Sequence, residues 1–190
     1  EIRTPMNAIL GLTHVLRRDG ASERQAERLD KIEGAARHLL SIINDVLDLS
    51  KIEAGKLILD ESDFLLDDVL DKVRTLVAEA AQAKGLRIEV ERDALPFHVR
   101  GDATRVTQSL LNYAGNAVKF TERGGITLRA RVVEELDERV MIRFEVQDTG
   151  IGVAAEAQPR LFGSFEQQDA TTTRRFGGTG LGLSITRQLA

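Results

Sequence analysis

The strongest constraint on this chain is a run of apolar residues that recur in alternating steps of three and four between residues 29 and 52. Its members are Leu29, Ile32, Ala36, Leu39, Ile43, Val46, Leu49 and Ile52. This spacing predicts one continuous helix with an apolar seam, a rod of roughly 45 Å at about 1.5 Å per residue. A helix of that length cannot cover its own seam, so it needs a partner.

The partner is predicted in the residues that precede this run. A similar stripe is formed there by Ile2, Met6, Ile9, Thr13 and Leu16. Gly20-Ala21 then interrupts the pattern, and Ser22 is suited to cap the second helix. The sequence therefore predicts an antiparallel helical hairpin over residues 1–55. One side of its seam stays open, and a second copy of the chain would cover it in a dimeric four-helix bundle. Packing against the following domain is the alternative.

Composition narrows the class of protein. The chain has 190 residues, 42% of them hydrophobic, which is enough for two small domains. Its net charge is −4 with both signs interspersed, so neither nucleic acid nor a membrane surface is the expected partner. No cysteine is present, which excludes disulfides and cysteine nucleophiles. No apolar run reaches the roughly 20 residues of a membrane span, so these residues are expected to make no membrane contact.

Residues 56–190 have a different pattern of apolar and polar residues and are predicted to form a second domain. We expect a short strand at residues 56–59 and a helix ending near Ala83. A strand at 86–90, a helix from 102 to 120 and two antiparallel strands at 125–133 and 140–146 should follow. Residues 149–180 are rich in glycine and threonine, and a last helix begins at Leu181. This order predicts an α+β two-layer sandwich with helices on one face of a mixed sheet.

The helix predicted at 102–120 carries polar groups opposite its apolar face. Asn112 and Asn116 lie one turn apart, and Lys119 follows. Amide oxygens are ligands for a hard cation, and a lysine attracts phosphate, so this face suits a magnesium nucleotide. A solvated polar face would have the same pattern, so these residues need corroboration.

Two glycine-containing motifs supply that corroboration. Asp148 follows a strand directly and precedes Gly150 and Gly152, so its carboxylate could accept a hydrogen bond from an adenine amino group, although a capped turn would look alike. The loop at 177–183, Gly-Gly-Thr-Gly-Leu-Gly-Leu, opens a helix and suits a phosphate cradle. Its spacing matches neither the dinucleotide motif nor the Gly-Lys-Ser/Thr loop.

Together these motifs resemble the successive nucleotide-binding boxes of sensor histidine kinases. The matching segments, in order, are Asn112-x-x-x-Asn116-Ala117-x-Lys119-Phe120, Asp148-x-Gly150-x-Gly152, Phe162-x-x-Phe165 and Gly178-x-Gly180-x-Gly182. Glu1-Ile2-Arg3-Thr4-Pro5 is similar to the stretch after the family's phosphoacceptor histidine. The sequence around Phe165 and Arg174 is similar to that of hybrid sensor kinases. The resemblance covers the whole chain.

The resemblance implies ATP and Mg²⁺ as cofactors and a role for each motif residue. Asn116 would bind the metal with support from Asn112, and Lys119 would contact phosphate. Phe120 would pack on the base, whose amino group Asp148 would hold. The remaining expected ATP contacts are backbone positions: Gly150, Gly152, Gly178, Thr179, Gly180, Leu181 and Gly182.

The resemblance also implies roles at the acceptor and in the lid. Glu1 would orient the acceptor imidazole or take its proton, and Thr4 would position water for dephosphorylating a response regulator. Arg174 is the candidate lid cation, with Arg175 an equally placed rival. Phe162 and Phe165 would anchor the lid.

One departure concerns the acceptor itself. The histidine is expected immediately before Glu1, because none of His14, His38 and His98 is followed by the family pattern. Both ends of the chain therefore look like cuts, and the family's sheet is expected to continue after Ala190. The implied protein is a cytoplasmic homodimeric kinase core that phosphorylates a receiver domain. Two alternatives remain: a gyrase- or chaperone-type ATPase, and a dimeric interaction module without phosphorylation.

Overall fold

The computed structural model describes residues 2–93, 98–137, 139–163 and 180–190 of the chain. It divides into two compact units, Glu1–Lys56 and Leu57–Ala190. Within the described ranges, no helix has both the length and the apolar character that crossing a membrane requires.

The first unit is a helical hairpin. Helix α1 spans Arg3–Arg18 and helix α2 spans Glu23–Glu53. Ser22 caps α2, and its backbone N–H donates to Oε1 of Gln25 at 2.9 Å, the reciprocal arm of a capping box. The two helices are joined across the hairpin by an ion pair of Arg17 with Asp30. The predicted hairpin is thereby confirmed.

The hairpin buries only part of its apolar stripe. Met6 and Thr13 of α1 and Ala36 and Leu49 of α2 are buried. Three residues of the α2 seam, spaced seven apart, remain partly open, with exposed fractions of 47% for Ile32, 44% for Leu39 and 39% for Val46. On α1 the exposed apolar side chains are Ile9, Leu12, Val15 and Leu16. A single hairpin therefore leaves a continuous apolar strip in contact with water.

The second unit is an α+β sandwich with a mixed sheet, as the sequence predicts. Its elements are β1 (Ser62–Phe64), α3 (Leu66–Ala83), β2 (Arg87–Asp93), β3 (Val99–Gly101), α4 (Ala103–Phe120), β4 (Gly125–Leu136), β5 (Arg139–Asp148), a 3₁₀ turn (Gln158–Arg160) and α5 (Gly182–Leu189). In the three-stranded sheet β4 is central, parallel to β2 and antiparallel to β5. Strands β1 and β3 form a separate antiparallel pair.

The core lies between the sheet and helices α3 and α4, which pack against each other. Alternate residues of β4 point into it, because side chains along a strand alternate between its two faces. Its fully or nearly fully buried members are Leu70, Val73, Ala81, Leu110, Ala114, Ala117, Ile126, Leu128 and Ala130. Burying one face of α4 in this core holds its opposite face in a defined orientation.

The strand predicted at residues 56–59 is wrong. Those residues form no strand, and Ile58 is 89% exposed. The first strand is instead Ser62–Phe64, which pairs with residues Val99–Gly101. Among the described residues the apolar run at 57–59 pairs with no strand, and strand propensity without a partner does not make a strand.

Candidate functional site

Helix α4 is the framework of the site, and its N-terminus is fastened by Asp102. The Asp102 carboxylate accepts from the backbone N–H of Arg105 at 3.0 Å and from that of Asp60 at 3.1 Å. One carboxylate thus caps the helix and ties down the segment before β1. Leu110, Ala114 and Ala117 are buried on the core face. The polar residues Asn112, Asn116 and Lys119 therefore lie outside the core, on the side where the sequence places a ligand.

The two asparagines of α4 have different surroundings. The Nδ2 atom of Asn112 donates to the backbone oxygen of Gly182 at 3.1 Å and is 3.2 Å from Oγ1 of Thr186. Asn112 therefore joins α4 to the start of α5. Asn116 is half-buried, and its amide has no hydrogen bond to any described residue. Of the pair, Asn112 has its amide nitrogen engaged by α5, whereas the whole amide of Asn116 is open among the described residues.

The last turn of α4 places a cation against an aromatic ring. Nζ of Lys119 lies 4.7 Å from the ring centre of Phe120, within the range of a cation–π interaction. Burial lowers the pKa of the Lys119 ammonium from its ordinary value. An anion beside this ammonium would raise that pKa again, because an opposite charge stabilises the protonated form.

The turn after β5 is seated on the C-terminal end of α4. The backbone N–H of Ile151 donates to the carbonyl of Phe120 at 3.4 Å. A Cβ at Gly150 would lie 2.6 Å from that same carbonyl oxygen and 2.7 Å from Oδ1 of Asp148. Only glycine fits there, because real Cβ atoms do not approach backbone so closely. The turn and the helix end therefore form one unit.

The Asp148 side chain is oriented by the same turn. Its Oδ1 accepts from the backbone N–H of Gly150 at 2.8 Å and lies 3.5 Å from Oγ1 of Thr121. Its second oxygen, Oδ2, has no hydrogen bond within the described residues, and Asp148 as a whole is exposed. A carboxylate held by one oxygen with the other open to solvent is able to accept from an amino group.

Thr121 and Thr149 take part in this arrangement and were missed in the sequence. Thr121 is fully buried, and Oγ1 of Thr149 accepts from the N–H of Gly125 at 3.1 Å and donates to the carbonyl of Arg123 at 3.0 Å. Both threonines bridge segments distant in the chain. The sequence does not reveal such bridging hydrogen bonds, because they form only once the strands are paired.

The C-terminal part of the glycine loop, at Gly182, contacts α4 at Asn112. Gly180 has φ +69°, in the left-handed region that favours glycine, and Leu181 is fully buried. A Cβ at Gly182 would lie 3.1 Å from Cγ and Oδ1 of Asn112. Helix α5 thus begins directly against α4. Several expected site residues lie outside the described residues: Glu1, Phe165, Arg174, Arg175, Gly178 and Thr179.

The hairpin carries the remaining expected site residue. Thr4 is exposed in the first turns of α1. Its neighbour Arg3 donates through Nη2 and Nε to Oδ1 of Asn44 on α2, at 2.6 and 3.2 Å. Asn44 was not expected in this role, because contacts between two helices cannot be assigned from a seam pattern alone.

Two family models match the chain in consecutive ranges. Residues 1–55 match the His Kinase A (phospho-acceptor) domain, and residues 101–190 match the histidine kinase-, DNA gyrase B- and HSP90-like ATPases. The chain belongs to the histidine kinase family. The phospho-acceptor match falls on the hairpin. The ATPase match begins just before α4 and contains α4, the turn after β5 and the glycine loop.

Relatives of this histidine kinase chain are sensor kinases. It is 48% identical over 191 residues to the sensor protein GacS of Pseudomonas syringae pv. syringae, and 44% identical over 190 residues to the signal transduction histidine-protein kinase BarA of Escherichia coli K12. Hybrid signal transduction histidine kinase L of Dictyostelium discoideum is 40% identical over 190 residues. All of this chain is covered, but only 21%, 21% and 11% of these relatives.

Solved structures agree with the fold. The crystal structure of full-length ShkA in complex with AMPPNP has a TM-score of 0.75 at 36% identity, covering 99% of this kinase chain and 38% of that chain. The catalytic domain of the histidine kinase ThkA has a TM-score of 0.56 at 27% identity, covering 68% of this chain and 79% of that one.

The contact of the turn with the helix end predicts that Gly150→Ala destabilises the protein. The added Cβ would meet the Phe120 carbonyl at 2.6 Å, and relieving that overlap should cost about 1–3 kcal/mol in the free energy of unfolding. Denaturant unfolding of both proteins measures it. Gly115→Ala is the matched control, because nothing lies within 4 Å of its Cβ and alanine favours a helix by up to about 1 kcal/mol. Equal stability of Gly150→Ala and wild type would mean that the turn is not seated on α4.

Proposed function

We propose that this chain is the catalytic core of a sensor histidine kinase, which binds magnesium-ATP and transfers the γ-phosphoryl group to a histidine. The observation that carries the proposal is the seating of the Asp148 turn on the end of α4, which brings the candidate base, phosphate and metal groups together. The consecutive phospho-acceptor and ATPase matches support the same conclusion. We assign residues 1–55 to dimerisation and phosphotransfer and residues 56–190 to ATP binding.

The adenine would bind at the junction of the turn and α4. Oδ2 of Asp148 would accept from the adenine amino group while Oδ1 stays on the Gly150 amide. Gly152, at φ +67°, keeps the backbone of the turn in a shape that lets the base approach. Phe120 would pack on the base, next to Lys119.

The phosphates would lie along α4 towards α5. Lys119 would contact a phosphate, and Asn116 would bind Mg²⁺, which typically takes one or two protein oxygens and completes its shell with phosphate and water. Asn112 acts indirectly, because its amide connects α4 to the backbone of Gly182. The amides of the loop at Gly178, Thr179, Gly180, Leu181 and Gly182 would face the phosphate oxygens.

In the proposed reaction, an imidazole nitrogen attacks the γ-phosphorus, the bond to the bridging oxygen breaks, and ADP leaves. Glu1 would orient the imidazole or accept its proton, and Arg174 or Arg175 would stabilise charge on the phosphoryl oxygens. The phosphoryl group would then pass to an aspartate of a receiver domain. In a separate phosphatase reaction, Thr4 would position a water that attacks the phosphoryl group on the receiver, so that the aspartate leaves and inorganic phosphate is released.

The oligomeric state, partner and subclass of the whole protein are proposals as well. The chain spans about a fifth of the GacS and BarA proteins it matches, which leaves room in such proteins for sensor and regulatory segments. We propose a homodimer whose cytoplasmic core serves a response regulator. The similarity to the hybrid kinase L favours the hybrid subclass.

The surroundings of Asn112 separate the kinase from a gyrase- or chaperone-type ATPase. In those ATPases a glutamate at this helix position activates water. Here the position is an amide that donates to Gly182 and cannot act as a base. An interaction module without phosphorylation would not need the open Asp148 oxygen or the half-buried Asn116. The phospho-acceptor match on the hairpin also favours the kinase.

The kinase proposal predicts labelling of a histidine placed immediately before Glu1 in a chain that also continues past Ala190. With magnesium and γ-labelled ATP, that chain should gain an acid-labile, base-stable phosphoryl group. Asp148→Asn should weaken ATP binding at least about fivefold by calorimetry and lower the labelling, because a donor replaces an acceptor. Asp137→Asn is the matched control, since Asp137 has φ 46° in the β4–β5 turn and asparagine tolerates that conformation. ATP binding with phosphate release but no labelled histidine would favour the ATPase, and no ATP binding would favour the module.

The unequal asparagines predict opposite outcomes for two alanine variants. Asn116→Ala should remove most of the magnesium dependence of ATP affinity while changing the unfolding free energy by less than about 0.5 kcal/mol. Asn112→Ala should lower that free energy by about 0.5–1.5 kcal/mol, because the hydrogen bond that joins α4 to the Gly182 carbonyl is lost. Calorimetry with and without a chelator, together with denaturant unfolding, distinguishes them. An unchanged magnesium effect in Asn116→Ala would remove the metal assignment.

The open strip of the hairpin predicts a dimer that a charge in the seam dissociates. Leu39→Asp would bury a carboxylate at the interface of each protomer, so light scattering should give the monomer mass. Because Leu39 is 44% exposed in a single chain, the hairpin itself should remain helical by circular dichroism. Ser41→Asp adds the same charge at an exposed polar position of α2 and should stay dimeric. A dimer of Leu39→Asp would move the interface elsewhere.

A further inference from the structure

Lys84 contacts the end of a helix 34 residues further along the chain. Its ammonium donates to three backbone carbonyls, those of Val118 at 2.7 Å, Lys119 at 2.9 Å and Thr121 at 3.2 Å. Three hydrogen bonds use the full donor capacity of one ammonium group. All three acceptors belong to the last turn of α4 and the residue that follows it.

These bonds replace an ordinary helix ending. Helices commonly close with a left-handed glycine whose N–H groups meet the last carbonyls. Helix α4 has no such residue, because Thr121 follows with φ −99° and ψ 125°. The N–H of Thr121 meets the carbonyl of Ala117, and the N–H of Ile151 meets that of Phe120. Lys84 supplies the donors for the two carbonyls in between, and its positive charge lies at the negative end of the helix dipole.

The backbone of Lys84 is itself held in place. Lys84 is the C-cap that directly follows α3, and the next residue, Gly85, has φ +67°. The N–H of Gly85 donates to Gln82 and that of Leu86 donates to Ala81, both at 2.9 Å, which is the double hydrogen bond of a Schellman ending. Leu86 is buried in the core. The lysine stem therefore starts from a fixed point and spans from the end of α3 to the end of α4.

The turn that Lys84 closes bears the candidate nucleotide groups. Lys119 and Phe120 belong to it, and Thr121 lies beside the Asp148 carboxylate. We propose that Lys84 is a positioning residue for the nucleotide, which holds the last turn of α4 closed so that Lys119 and Phe120 stay aligned with Asp148. This inference rests on the proposed function. Lys84 acts through the carbonyls of α4 and is assigned no contact with the ligand.

The exposure of Lys84 determines how its loss would act. The residue is exposed and is not a member of the buried core between α3, α4 and the sheet. Removing the ammonium should therefore loosen one helical turn and leave the fold intact. Local opening of this kind is measured by amide hydrogen exchange, which resolves individual turns.

The test compares wild type, Lys84→Met, Lys84→Arg and Lys72→Met in the 190-residue chain. Methionine keeps the length of the stem without donors, arginine keeps charge and donors, and Lys72 is an exposed lysine elsewhere on α3. Lys84→Met should weaken magnesium-ATP binding about tenfold and speed exchange at the amide of Thr121 and its α4 neighbours, with exchange in β4 unchanged. Lys84→Arg should stay within about threefold of wild type, and Lys72→Met should match wild type in both measurements.

Two results would overturn the inference. One is ATP affinity in Lys84→Met equal to wild type. The other is weaker binding accompanied by faster exchange throughout β4, which would show general destabilisation. If Lys84→Met does not fold, Lys84→Gln takes its place, with an affinity between those of wild type and the expected methionine variant. Wild type that binds no magnesium-ATP would overturn the proposed function instead, and unchanged Thr121 exchange in Lys84→Met would then also remove the capping role.

Discussion

The contact on which the site depends is the seating of the Asp148–Gly152 turn on the carbonyl end of α4. The N–H of Ile151 meets the carbonyl of Phe120, and the absence of a side chain at Gly150 lets the two backbones approach. Through this contact, a carboxylate at the end of a strand and an ammonium and ring at the end of a helix come to a fixed spacing. Such spacing is what recognition of a base and its phosphates in one ligand requires.

Helix α4 is held by contacts from distant parts of the chain. Asp102 caps its start, Asn112 joins its middle to α5, and Lys84 closes its end. The core face of the helix is buried against α3 and the sheet. Because each support comes from a separate segment, the helix cannot turn about its axis without breaking several of them. The polar face, with Asn116 at its centre, is therefore presented in one orientation.

The hairpin differs from the second unit in how its apolar surface is covered. The sandwich covers its core with its own helices, whereas the hairpin leaves residues of both helices exposed along its seam. Burial of apolar surface contributes roughly 25 cal/mol per Å², and covering this open strip is what the proposed homodimer would provide. The bond between Arg3 and Asn44 orders one end of the same hairpin, next to Thr4.

How much of this could be read from the sequence depends on the range of each interaction. Local periodicity predicts the hairpin and the order of most strands and helices. The nucleotide motifs are recognised by glycines, at positions where the backbone has no room for a side chain or takes a left-handed conformation. The motif residues Asn116, Lys119 and Asp148 were identified because their chemistry and spacing are visible in one segment. The strand expected at 56–59 failed because a strand needs a partner, and the partner of β1 lies nearly forty residues away.

Tertiary structure alone decided what surrounds each of those residues. It separated Asn112, whose amide is engaged by Gly182, from Asn116, whose amide is open among the described residues. It also brought Thr121, Thr149 and Lys84 to the site. These contacts join segments between 24 and 37 residues apart. The sequence by itself determined which groups the chain offers, because residue type and short spacing are local. Folding decided which of them meet, because hydrogen bonds between distant segments exist only after the core has formed.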